Sequence, residues 1–80
     1  MPHVIVKMYA GRSDAEKQNL ADRITAAVTD TLGYGDDAVS VGIEDVRPAD
    51  WMDQVYRTDI AAKADQLFKR PGYGPPDQGS

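Results

Sequence analysis

The hydrophobic period of this chain changes twice near its start, from the alternation of a strand to the spacing of a helix and back. His3 to Tyr9 is rich in β-branched residues and reads as a strand. Val4, Val6 and Met8 point to one face, and His3, Ile5, Lys7 and Tyr9 to the other. Apolar residues on both faces suit a strand covered on both sides. Ala10-Gly11-Arg12 breaks it, and Ser13-Asp14-Ala15-Glu16 then has the form of a capping box. Leu20, Ile24, Val28 and Leu32, with Ala21 and Ala27 beside them, make one apolar helical stripe. Lys17, Asp22, Arg23 and Asp30 are left largely for solvent, and Gly33 or Gly35 ends the helix. Val39, Val41 and Ile43 alternate with Ser40, Gly42 and Glu44 as a second strand. Strand, long helix and strand imply a parallel pair joined by a right-handed crossover.

Pro48 cannot donate to a ladder, so the second strand ends by Arg47. A second helix is expected from the Ala49–Asp53 segment, with Asp50 as N-cap. Met52, Tyr56, Ile60, Leu67 and Phe68 supply its apolar face, and Lys69 and Arg70 lie near its C-terminus. Residues 71–80 read as an irregular tail to a single domain of 80 residues. Two strands and two helices leave long open sheet edges, a liability unless paired or covered. So small a chain also buries only about 60% of its unfolded surface. Both arguments favour a dimer or larger assembly.

Composition narrows the function. Cysteine is absent, which excludes disulfides and thiolate metal sites, and one histidine makes a histidine-rich metal centre a poor expectation. The formal charge of -4, with no basic run, argues against nucleic acid. Apolar stretches are too short to cross a membrane, and the N-terminus lacks the basic head and apolar core of a signal peptide. A cytoplasmic protein is expected.

The unusual chemical feature is Pro2, directly after Met1. Methionine aminopeptidases generally cut before a small second residue, leaving proline as a secondary amine. An ordinary α-amino group titrates at roughly 7.7–8.0. An apolar pocket disfavours its charged form, and a nearby guanidinium disfavours it further. A neutral base is then available without histidine or carboxylate. Other residues carry weaker signals. His3 neighbours Pro2, but a histidine in a strand is ordinarily structural or exposed. Gly33-Tyr34-Gly35 lacks the lysine and serine of a phosphate loop, and Asp36-Asp37 reads as a solvated loop rather than a metal site. Tyr56 and Tyr73 are candidates to line a pocket or an interface, with packing the default for Tyr56.

Pro2, the strand that follows, Gly11-Arg12-Ser13-Asp14-Ala15-Glu16-Lys17 and the apolar helix together resemble the 4-oxalocrotonate tautomerase family. The resemblance continues through Val39-Ser40-Val41-Gly42-Ile43 and the Pro48 to Trp51 segment. The portion from Trp51 to Tyr73 is similar to the dimeric, phenylpyruvate-type enterobacterial subgroup. The resemblance implies an α+β fold of β-α-β-α order, completed by oligomerisation, with a homodimer expected. It implies a keto–enol isomerase that acts on small carboxylate-bearing enols or α-keto acids and uses no cofactor and no metal. Pro2 matches the catalytic base, Arg12 an arginine that binds substrate carboxylate, and Trp51 an aromatic that keeps the pocket dry. Ser40 falls where the family prototype carries a second arginine. Serine can donate one hydrogen bond there, and Arg47, Arg57, Lys69 and Arg70 are alternative sources of the missing charge. Two other functions remain open: a hydrolytic dehalogenase or hydratase, with Glu44, Asp45 or Asp53 nominated to activate water, and a non-catalytic dimeric binding module.

Overall fold

The computed structural model describes residues 1–75 of the chain. They divide into two compact units, the first Met1–Val46 and the second starting at Arg47. The expected tail lies partly in view: residues 71–75 are irregular, and the rest of it lies outside the described residues.

In the first unit, strand β1 (His3–Tyr9) leads into helix α1 (Asp14–Leu32), and strand β2 (Ser40–Val46) returns parallel to β1. Register pairs His3 with Ser40, Ile5 with Gly42, Lys7 with Glu44 and Tyr9 with Val46 on one face of the sheet. Val4 with Val41, Val6 with Ile43 and Met8 with Asp45 share the other face. The helix begins where the residues dictate. Gly11 at φ 121° makes a turn that an L side chain resists. Ser13 Oγ then accepts from the Glu16 amide at 3.1 Å, and Glu16 Oε1 accepts from the Ser13 amide at 3.2 Å, closing the capping box. Gly33 rather than Gly35 ends the helix, at φ 80°, with its amide donating to the Thr29 carbonyl.

The helical stripe differs from the apolar letters. Leu20, Ala21, Ile24 and Val28 are half-buried as expected, but Ala27 and Leu32 are exposed. Thr25 and Thr29 take their places, and each hydroxyl donates to a carbonyl of its own helix, of Ala21 and Ala26 respectively. Lys17, expected in solvent, turns toward the sheet and meets Asp45 Oδ2 at 2.8 Å. Helix α1 therefore lies over the Val4, Val6 and Met8 face. On the opposite face Ile5 and Tyr9 are each 53% exposed, while Val46, opposite Tyr9, is buried.

In the second unit, a short 3-10 turn (Pro48–Asp50) precedes a π-helix (Met52–Ala61) and a further 3-10 turn (Ala64–Gln66). Asp50 is not the N-cap. Pro48, with its fixed φ, starts the turn two residues earlier, and the Asp50 amide donates to the Arg47 carbonyl. The π-helix carries i→i+5 hydrogen bonds, such as Ala62 N–H to Arg57 O at 3.1 Å. Its sheltered residues recur in pairs every four positions: Trp51-Met52, Val55-Tyr56 and Asp59-Ile60. Val55 and Tyr56 are the buried pair. The helix stops far short of Phe68. Ala61, Ala62 and Lys63 are all exposed, so no packed face supports another turn. Leu67 and Phe68 follow the second 3-10 turn, and Phe68 is fully exposed instead of lying on an apolar stripe. Lys69 and Arg70 therefore cap no helix.

Candidate active site

Pro2 sits at the entry to β1 and is half-buried, while Met1 before it is 89% exposed. The Pro2 carbonyl accepts from the Ser40 amide at 3.2 Å, which ties the start of the chain to the start of β2. Ser40 stands opposite His3, and His3 Nδ1 lies 2.6 Å from Ser40 Oγ. Pro2, His3 and Ser40 are thus gathered at one end of the parallel pair. The sequence had pointed to Pro2 and Ser40. It had not shown that His3 engages the Ser40 hydroxyl, because strand register decides which residues stand opposite one another.

Arg12 is not part of this group. It follows β1 at the far end of the strand, just before the cap of α1. Its guanidinium Nη1 donates to Glu16 Oε2 at 3.3 Å, and the side chain is 66% exposed. The Glu16 carboxyl is held below its ordinary value, first by the hydrogen bond from the Ser13 amide and then by the Arg12 charge. An exposed pair of this kind holds its members weakly, so Arg12 can turn to another anion at little cost.

Trp51 lies in the second unit, at the start of the π-helix. Its Nε1–H donates to Tyr73 Oη at 2.9 Å, and the Tyr73 ring stands 5.7 Å from that of Tyr56. Tyr73 thereby joins two aromatic residues of the helix to the irregular segment after it, a contact set by tertiary placement that no local motif announces. Among the alternative cations, Arg47 pairs with Asp50 at 3.5 Å and Arg57 with Asp53 at 2.7 Å. Lys69 and Arg70 are exposed. The acids nominated to activate water also face cations: Glu44 faces Lys7 at 3.8 Å, Asp45 faces Lys17, and Asp53 faces Arg57. Asp36 and Asp37 lie in an exposed 3-10 turn. Among the described residues, no helix is long and apolar enough to cross a membrane.

Comparison with known proteins agrees with this architecture. A family model described as "Tautomerase enzyme" matches residues 2–57, running from Pro2 across both units. A Xylella fastidiosa protein named "Probable tautomerase" is 52% identical and aligns with 98% of this chain and all of its own. "Tautomerase PptA" of Cronobacter sakazakii is 39% identical, over 91% of this chain and 97% of its own. Among solved structures, TomN, a 4-oxalocrotonate tautomerase homologue of the tomaymycin biosynthetic pathway, superposes with a TM-score of 0.61 at 38% identity. That match covers 62% of this chain and 77% of TomN. YwhB, another homologue of 4-oxalocrotonate tautomerase, superposes with a TM-score of 0.56 at 43% identity, covering 57% of this chain and 75% of its own. The parallel strand pair with its crossover helix is the 4-oxalocrotonate tautomerase fold, and the chain belongs to the tautomerase family as an isomerase.

Proposed function

We propose that this tautomerase uses the secondary amine of Pro2, freed by loss of Met1, as its general base. Its substrates are small enols or α-keto acids that carry a carboxylate beside the carbonyl. The supporting observation is the position of Pro2. It opens β1 half-buried, with its carbonyl fixed by Ser40, behind a methionine exposed enough for an aminopeptidase to reach.

The chemistry is a proton relocation. In the ketonising direction, the Pro2 nitrogen takes the enol hydroxyl proton, the C–O bond gains double-bond character, and a carbon of the former C=C accepts the proton back from the ring ammonium. Nothing is gained or lost overall, so neither metal nor organic cofactor is required. The neutral form of the freed amine is the form able to take a proton. Arg12 supplies a planar fork for the substrate carboxylate. The resemblance gives Trp51 a water-excluding role. Because β1 holds Pro2 and Arg12 at its opposite ends, a complete site draws them from two copies, and the working form is a homodimer. A cytoplasmic setting completes the proposal.

The test is ketonisation of phenylenolpyruvate and 2-hydroxymuconate by protein whose loss of Met1 is verified by mass spectrometry. Turnover that Pro2→Ala abolishes is the expected result. Equal turnover by Pro2→Ala, or by protein that retains Met1, overturns the assignment. Halide release from 3-haloacrylates in place of ketonisation moves the reaction to the hydrolytic class.

A further inference from the structure

Taking a proton from an enol, or from the carbon beside a carbonyl, leaves negative charge on oxygen. A hydrogen-bond donor aimed at that oxygen is ordinarily the largest single contribution to such a step. Three observations in the first unit converge on one. The Ser40 amide is committed to the Pro2 carbonyl, which fixes Ser40 beside the base. The Ser40 hydroxyl lies 2.6 Å from His3 Nδ1, on the sheet face that α1 does not cover. Two residues along the same face is Gly42, where an added Cβ would meet nothing within 4 Å. A bare glycine in a strand leaves room for a ligand to approach the backbone.

We infer that His3 is a positioning residue that turns the Ser40 hydroxyl outward, so that Ser40 donates to the substrate oxygen over the open space at Gly42. This rests on Pro2 being the base. A hydroxyl has one hydrogen to give and two lone pairs with which to accept. When Nδ1–H of His3 donates to Ser40 Oγ, the serine hydrogen is free for the substrate. In the other tautomer Ser40 spends its hydrogen on Nδ1 and has none left for the substrate. The relay therefore requires a hydrogen on His3 Nδ1, which His3 carries in one neutral tautomer and when protonated. A lone serine has no such restraint and can point its hydrogen elsewhere. The two strands set this up by register, because His3 and Ser40 are direct neighbours across the ladder.

The experiment measures kcat and KM for ketonisation of phenylenolpyruvate in protein lacking Met1. Variants are Ser40→Ala, Ser40→Thr, His3→Ala, His3→Asn, the Ser40→Ala/His3→Ala double and Pro2→Ala. Removing an oxyanion donor predicts a fall in kcat of about a hundredfold for Ser40→Ala, with KM changed by less than about twofold. Ser40→Thr restores most of the loss because the hydroxyl remains. His3→Ala also lowers kcat, and His3→Asn recovers much of it, since the asparagine amide nitrogen lies as many bonds from Cα as Nδ1. The double variant is no slower than Ser40→Ala, because His3 acts only through Ser40. Losses that multiply in the double variant overturn the relay, as does a Ser40→Ala effect confined to KM. If Pro2→Ala abolishes turnover while the Ser40 and His3 variants keep it, the relay fails and the proline base stands. If Pro2→Ala keeps turnover, the proline base fails. The threonine and asparagine variants preserve size and polarity, so loss of fold in an alanine variant does not shield the relay from refutation.

Discussion

Breaking the two halves of the proposed site in different chains should give mixed dimers more activity at subsaturating substrate than either parent. Strand β1 runs from His3 to Tyr9, and six steps of about 3.3 Å carry the backbone roughly 20 Å from the Pro2 end to the Arg12 end. The turn at Gly11 then delivers Arg12 to the start of α1. An extended arginine side chain covers less than half of that distance by its bond lengths. Within one chain, Arg12 therefore cannot grip the carboxylate of a small substrate whose enol sits at Pro2. In the proposed two-fold dimer each site would take Pro2 from one copy and Arg12 from the other, so the two sites would be equivalent. Arg12→Ala removes hydrogen bonds to a charged group, about 1.5–3 kcal/mol in all, or roughly a ten- to hundredfold rise in KM. Pro2→Ala removes the base. A dimer of one Pro2→Ala and one Arg12→Ala chain holds one intact site and one site lacking both groups. Equal mixing with random exchange makes about half of the dimers mixed, so specific activity at subsaturating substrate should return to about a quarter of wild type. The assay is phenylenolpyruvate ketonisation before and after unfolding and refolding the mixture together, with mixed dimers counted by native mass spectrometry. Mixed dimers without recovered activity would refute the shared site, and so would an unchanged KM in Arg12→Ala.

Three further outcomes test the local physics. Ser13→Ala removes the acceptor of the Glu16 amide and should cost about 1 kcal/mol, measured by urea denaturation with an unchanged m-value. Tyr73→Phe deletes the acceptor of the Trp51 indole while keeping the ring beside Tyr56. It should cost about 1 kcal/mol and alter Trp51 fluorescence, whereas Tyr34→Phe, at a tyrosine just as exposed that does not bond Trp51, should do neither. The Lys17 ammonium is held above its ordinary value of 10.5, chiefly by its hydrogen bond to Asp45. A raised pKa in the folded state stabilises below 10.5 and loses that contribution as pH rises through the folded value. The stability gap between wild type and Asp45→Asn should hold from neutral pH to about 10 and shrink above 10.5, read from chemical denaturation at each pH.

Most of the first unit was legible because its signals are local. Alternation set β1 from His3 to Tyr9, and the reciprocal Ser13–Glu16 bonds set the start of α1. The helical face was harder to read, because Thr25 and Thr29 satisfy their hydroxyls within the helix and can face the sheet like small apolar residues. Lys17 was misread for a related reason: its partner Asp45 is 28 positions away and becomes a neighbour only once β2 has paired. The second unit was less legible. The apolar residues from Met52 to Phe68 admitted one long stripe, but the exposed Ala61-Ala62-Lys63 run offers the backbone no packed support, and the helix ends.

The same distinction between local and distant signals governs the site. Pro2 is visible in the sequence because its chemistry comes from its place in the chain. Arg12 is visible because a glycine turn and a capping box surround it. That His3 meets Ser40, and that Arg12 lies a strand's length from Pro2, are consequences of parallel register and of an extended backbone. Ile5 and Tyr9 are half exposed on the face that carries the Ser40 hydroxyl. A second copy that shelters those side chains would dry the surroundings of the amine and strengthen a hydrogen bond to the substrate oxygen. In the proposed dimer, assembly and catalysis would then draw on the same sheet face, so a charge placed at Ile5 should weaken association and slow turnover together.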